Sequence, residues 1–220
     1  MTEPQKPDER QLPSKEPEPP LSESTDERDT WETPPMILPE VGESSGHDTA
    51  LSPVYIPPKE PLQPGPHGVD IQFLIRSSQT GYQYSCLETA VAPKTLGPAP
   101  HLHETLDEIA LVLEGTLSVM VEDTVYEVPA GGMSLRPRGL IHTFWNATDK
   151  PVRFLDMMIN QNFDDWLEEF FTIREYATQN DLSFDDPDVA QRLAQLDREF
   201  EVTQFPEQRQ AIIDKYELTG

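Results

Sequence analysis

Three histidines and one glutamate, His101, His103, Glu108 and His142, are the residues of this chain whose types and spacing point to chemistry. Successive side chains of a β-strand alternate between its faces, so His101 and His103 project from one face and can reach a single ion while Leu102 points away. Glu108 follows the short polar stretch Glu104-Thr105-Leu106-Asp107 and opens the apolar run Ile109-Ala110-Leu111-Val112-Leu113, which reads as a buried strand ending at Gly115. Pro137-Arg138-Gly139 is turn chemistry that delivers His142 at the start of another strand, Ile141 to Trp145. Three imidazoles and a carboxylate form a donor set without the thiolates of a closed zinc site. It suits one divalent transition metal ion (Fe, Mn, Ni, Co or Zn), and six-coordination would leave two positions for substrate, water or dioxygen.

These residues sit in two blocks. The first reads Gly97-Pro98-Ala99-Pro100-His101-Leu102-His103, then Glu108 and Gly115; the second runs from Gly131 through Pro137, Gly139 and His142 to Asn146. Both blocks resemble the two signature motifs of the cupin superfamily, with one departure: the spacer between Gly97 and His101 is shorter than usual. The resemblance implies a metal-binding double-stranded β-helix, a jelly-roll barrel, with His101, His103, Glu108 and His142 as metal ligands. It is similar to the quercetinase-like single-domain cupins, a resemblance that implies Glu108 as both ligand and catalytic base.

The surrounding pattern fits an all-β fold. Val69 to Ile75 and Tyr82 to Val91 alternate as barrel walls should, and Leu117 to Val121 and Val125 to Val128 flank the turn Glu122-Asp123-Thr124 as a hairpin. Met133 to Leu135 and Val152 to Ile159 supply further short strands. Beyond Asn160 the period lengthens. Phe163, Trp166, Leu167, Phe170 and Phe171 recur at helical intervals; Val189, Leu193, Leu196 and Phe200 do so after Asp185-Asp186-Pro187; and a third helix is expected from Pro206 to about Leu218. These helices are expected to pack an apolar face on the barrel exterior, with a lid over the pocket or a homodimer contact as the alternatives.

Composition divides the chain. Fifteen of its 23 prolines fall in residues 1–66, interleaved with Glu, Ser, Asp and Lys, a mixture with too little apolar surface to offset the entropy of ordering it. The expected organisation is a disordered tail over 1–66, a barrel over 67–160 and a helical segment over 161–220. Within the tail, Trp31, the stretch Pro34 to Pro39 and Val54-Tyr55-Ile56 carry the apolar content, and the last of these is expected to touch the barrel.

The formal net charge is −24 with no basic stripe, which argues against nucleic-acid and membrane-surface partners. The first residues lack the apolar core of a signal peptide, no apolar run approaches the ~20 residues of a spanning helix, and Cys86 is the single cysteine. A cytoplasmic protein is expected. The expected function is a metal-dependent dioxygenase acting on a small organic substrate. Leu140 and Phe144, two positions from His142, with Phe73, Tyr82, Tyr84, Met120 and Met157, favour a flat or aromatic molecule. A non-catalytic cupin that binds metal or a small molecule and a cupin isomerase or decarboxylase are the alternatives, because one fold hosts many chemistries.

Overall fold

The structure is a computed structural model that describes residues 51–219. Trp31 and the stretch Pro34 to Pro39 lie outside the described residues, as does most of the expected tail. Residues 51–65 carry no helix or strand. They are nonetheless tied to the barrel, since the Leu62 N–H donates to Glu88 Oε1 at 3.2 Å. Of Val54-Tyr55-Ile56, Val54 and Tyr55 are exposed, Tyr55 at 82%, and Ile56 alone is half-buried.

The strands are β1 (Val69–Ile75), β2 (Tyr84–Val91), β3 (Thr95–Leu96), β4 (His101–His103), β5 (Asp107–Glu114) and β6 (Thr116–Val121). After them come β7 (Thr124–Pro129), β8 (Met133–Arg136), β9 (His142–Asn146), β10 (Val152–Ile159) and β11 (Val202–Gln204). They form two antiparallel sheets, β1-β2-β10-β5-β8 and β11-β4-β9-β6-β7, with β3 pairing β9 beside the second. The architecture is an all-β double-sheet jelly-roll barrel followed by helices.

Alternation explains why these residues make walls. On β10 every second side chain, Val152, Phe154, Asp156 and Met158, is buried, and the four between them are half-buried. Between the sheets, Val91, Ala110, Val112, Leu117, Val119, Val128, Phe144, Val152 and Phe154 form one apolar core. At about 25 cal/mol per Å2 of apolar surface removed from water, such a core is the main force closing the barrel. Gly97 is required where β9 comes close: a Cβ there would meet the Phe144 ring at 2.5 Å, while the Gly97 N–H donates to the Phe144 carbonyl at 2.9 Å.

The helices are α1 (Phe163–Gln179), α2 (Pro187–Glu199) and α3 (Arg209–Tyr216). Asp186 caps α2 by accepting the Asp188 N–H, with Pro187 in the first turn where a missing N–H costs nothing. Phe163, Trp166 and Ile173 of α1 pack with Val189 and Leu196 of α2 and with Leu87, Leu106 and Met158 of the barrel. Ile212 of α3 packs with Trp145 and Leu96 in a separate cluster. The chain between α2 and α3, within the segment expected to be helical, contains β11. That strand pairs with β4, placing Val202 opposite His103 and Gln204 opposite His101. Three residues are too few to show a strand period. No helix among the described residues is long and apolar enough to cross a membrane.

Candidate metal centre

The four residues singled out by spacing come together. His101 and His103 leave one face of β4, Glu108 stands near the start of β5, and His142 opens β9, directly paired with His101. One potential ligand atom from each lies within 4.8 Å of the others, and all four side chains are buried. The turn before β9 is held in place. Gly139, at φ +74°, donates its N–H to the His103 carbonyl at 2.7 Å, and Arg138 donates from its backbone N–H and from Nε to Asp107 Oδ1 at 2.9 and 3.0 Å. The backbone next to three of the four residues is thereby stitched together.

The donor atoms are left with lone pairs to give. His101 Nδ1 lies 2.8 Å from the Ala99 carbonyl and His142 Nδ1 lies 2.9 Å from that of Leu140. An Nδ1–H donating to a carbonyl fixes the tautomer that keeps Nε2 unprotonated. His142 Nε2 and His103 Nε2 are buried without a hydrogen-bond partner among the described residues. Buried polar atoms almost always find a partner, so two facing one point mark a place built for something else. A divalent cation fits the observation: borderline-soft nitrogen donors and one hard oxygen, all gathered within its reach.

Electrostatics prepare the same set. Burial, reinforced by the neighbouring imidazoles of His142 and His103, pushes His101 down to about 3. Burial likewise lowers His103 to about 4, with Glu108 opposing and His142 and Arg136 assisting. Both rings therefore stay neutral near pH 7, the form that ligates. His103 lacks a carbonyl partner for Nδ1; its ring packs edge-on against Phe163 of α1, with centroids 4.6 Å apart. The lid alternative for the helices thus has a structural counterpart, since the first residue of α1 touches a candidate ligand.

Two charged residues at the centre were not anticipated. Arg136 of β8 and Asp156 of β10 are buried on the barrel's inner face. Arg136 Nη1 lies 3.0 Å from Glu108 Oε2, and Arg136 Nη2 donates to Asp156 Oδ1. Burial alone would raise the Glu108 carboxyl, but the Arg136 guanidinium and then the His142 and His103 rings hold it well below the usual carboxylate range. Burial raises Asp156 to about 6 although Arg136 pulls the other way. The available signal was parity: Asp156 shares the inward register of Val152, Phe154 and Met158, where a charge is out of place unless it is paired.

The pocket residues expected around the metal are largely elsewhere. Tyr82 and Tyr84 are exposed, Tyr82 at 59% because it sits in a turn at φ +63° before β2 begins. Leu140 is 37% exposed, before the first residue of β9. Met157 lies on the half-buried face of β10, Met120 packs beside the Trp145 cluster, and Phe73 packs against the helical cluster. Phe144 alone is buried near the charged residues, with the Arg136 guanidinium 5.5 Å from its ring centre. The expected wall is thus replaced by other residues, with Arg136 and Asp156 on one side of the candidate ligands and the Phe163 ring against His103.

Residues 87–158 match the family model described as "Cupin domain". Among curated proteins, germin-like protein 9-3 of Oryza sativa subsp. japonica is 35% identical over 68 residues, covering 29% of this chain and 31% of its own length. Germin-like protein 9-2 of the same plant is 32% identical over 80 residues, 34% of this chain and 37% of its own. The chain thus spans about a third of the length of the curated relatives it matches. Among solved structures, a recombinant oxalate oxidase in complex with glycolate aligns at 24% identity and TM-score 0.38, covering 44% of this chain and 53% of that one. The TT1209 protein from Thermus thermophilus aligns at 21% identity and TM-score 0.40, covering 44% and 87%. KdgF from Halomonas sp. aligns at 18% identity and TM-score 0.39, covering 44% and 83%. Residues 87–158 match the cupin domain, and the barrel built around them has the cupin fold.

Proposed function

We propose that the protein binds one divalent transition metal through His101, His103, Glu108 and His142 and uses it as a dioxygenase of a small organic substrate. The observation that carries the metal reading is the convergence of four buried donors within 4.8 Å, with His103 Nε2 and His142 Nε2 left without a hydrogen-bond partner among the described residues. The dioxygenase reading is supported by the likeness of both motif blocks to quercetinase-like cupins and by the donor count. Four protein ligands around a six-coordinate ion would leave two positions, enough for an organic substrate and dioxygen together. The bound ion supplies Lewis acidity and a meeting point for the two reactants. The chain's own residues orient the donors, keep the imidazoles neutral and enclose the reaction in a buried space.

Oxygen uptake decides the reaction class. With Fe, Mn, Ni or Co supplied in turn, small catechols, dicarbonyl compounds and hydroxy acids are offered in an oxygen electrode, with products followed by mass spectrometry. The proposal expects oxygen consumed in proportion to product, and the uptake lost in His142→Ala. Turnover that continues without oxygen would replace it with the isomerase or decarboxylase reading, and tight binding without turnover with that of a binding protein.

A further inference from the structure

We propose that Arg136, anchored by Asp156, is the positioning residue of the centre: it holds the Glu108 carboxylate in the one orientation that presents it to the imidazoles. The inference rests on the metal reading above and goes beyond it by assigning a role to two buried residues outside the four ligands.

The sheet order carries the argument. β5 lies between β10 and β8, Arg136 on β8 is directly opposite Glu108 on β5, and Asp156 on β10 is directly opposite Ala110. To reach Asp156 the guanidinium has to cross β5, and the buried residue it crosses is Ala110, whose methyl group leaves the space. Arg136 therefore bridges two carboxylates on two strands, and its own position is set from the far side. Glu108 Oε2 lies 3.0 Å from Arg136 Nη1 and 3.0 Å from His142 Nε2, while Oε1 lies 3.8 Å from His103 Nε2. One carboxylate oxygen, Oε2, is thus held between the guanidinium and the His142 ring, which leaves Oε1 turned toward His103.

The same logic operates at the other donors. His101 and His142 each have a backbone carbonyl at Nδ1 that orients the ring. A carboxylate needs a donor for that purpose, and Arg136 is the donor the barrel supplies; such outer partners commonly hold ligands at full affinity. A structural explanation alone is poor, because burying a guanidinium and two carboxylates is at best neutral compared with packing apolar side chains there. The other half of the same interior shows that the fold can pack that way.

The test is a Co(II) titration followed by visible absorption, which reads both affinity and ligand geometry, on wild-type protein, Arg136→Gln, Arg136→Lys and Asp156→Asn, each checked for folding by circular dichroism. The proposal expects Arg136→Gln to bind Co(II) about 10- to 100-fold more weakly with a shifted spectrum. Asp156→Asn should show a smaller change in the same direction, and Arg136→Lys should recover part of the loss. A merely structural pair would lower the melting temperature and leave the spectrum and affinity of the folded protein as in wild type. If Arg136→Gln does not fold, the nearly isosteric Asp156→Asn decides alone, an unmoved spectrum and affinity overturning the proposal. Wild-type protein that binds no Co(II) would overturn the metal reading itself and this inference with it. Normal wild-type binding with unchanged variants would overturn only the role of Arg136.

Discussion

The barrel interior has two halves built on the same strands. Toward one end, Phe154 of β10 lies opposite Val112 of β5, and the Phe154 ring meets Phe144 edge-on at 5.1 Å. Toward the other, the next inward residues of β10 and β5 are Asp156, Met158 and Glu108, with Arg136 beside them and three histidines facing them. The backbone pairing is the same, but the physics differs. The apolar half is stabilised by burial and packing, whereas the polar half carries charges whose desolvation is barely offset by their pairing. The lesson is that the first half holds the barrel closed and the second half is maintained at the expense of stability for the donors it presents.

The largest effect should come from breaking the apolar half. Phe154→Ala is expected to lower stability by about 3–5 kcal/mol through lost burial and an unfilled cavity. Chemical denaturation measures that loss, and the protein that remains folded should keep its metal content. A fall in metal content at unchanged stability would show that the halves are not separable in this way.

The polar half should respond differently to one change than to three. Arg136→Leu alone leaves two buried carboxylates uncompensated and is expected to cost about 3 kcal/mol or more. Glu108→Leu, Arg136→Leu and Asp156→Leu together remove every charge, and the triple variant should recover most of that loss in urea denaturation. Additive losses across the three sites would mean that the network stabilises the fold outright.

A smaller effect follows from pH in the metal-free protein. Folded His101 and His103 are depressed to about 3 and 4, below their ordinary value of 6.5, so the unfolded chain takes up protons first. Their contribution is fully present above pH 6.5 and is lost as pH falls toward their folded values. Asp156 acts in the opposite direction, because its carboxyl is raised from 3.8 to about 6, and its contribution declines as pH rises through that window. The two histidines outweigh the one aspartate, and the Glu108 carboxyl, held well below its ordinary 4.5, adds to their side near the acid end, so stability should fall with acid between roughly pH 4 and 6. Denaturation midpoints across that range measure it, and a flat profile would contradict neutral, buried imidazoles.

The contrast between the halves also explains what was legible in the sequence. His101 and His103 were readable because strand alternation forces residues two apart onto one face, and His142 because a proline–glycine turn fixes where β9 starts. The strands β1 and β10 run over the spans their patterns predict, Val69–Ile75 and Val152–Ile159. Arg136 escaped notice because an arginine at a strand end reads as a solvated residue until its partner is known. Asp156 became informative only once its register with Val152, Phe154 and Met158 was established. The expected pocket wall failed for a related reason: Tyr82, Tyr84 and Leu140 sit before or at the edge of their strands, where the two-residue period no longer determines the face. β11 depends on pairing with β4, a contact about 100 residues distant in sequence that local pattern cannot show.

Elemental analysis is the most direct test of the centre. Purified full-length protein, saturated with Fe, Mn, Ni, Co or Zn in separate samples and desalted, should retain close to one ion per chain with at least one of these metals. His103→Ala and His142→Ala, each confirmed to be folded, should retain a small fraction of that amount, because removing one imidazole opens the donor set and leaves its neighbours misaligned. Wild-type protein that retains none of the metals, or variants that retain as much as wild type, would contradict the assignment of His101, His103, Glu108 and His142 as a metal centre.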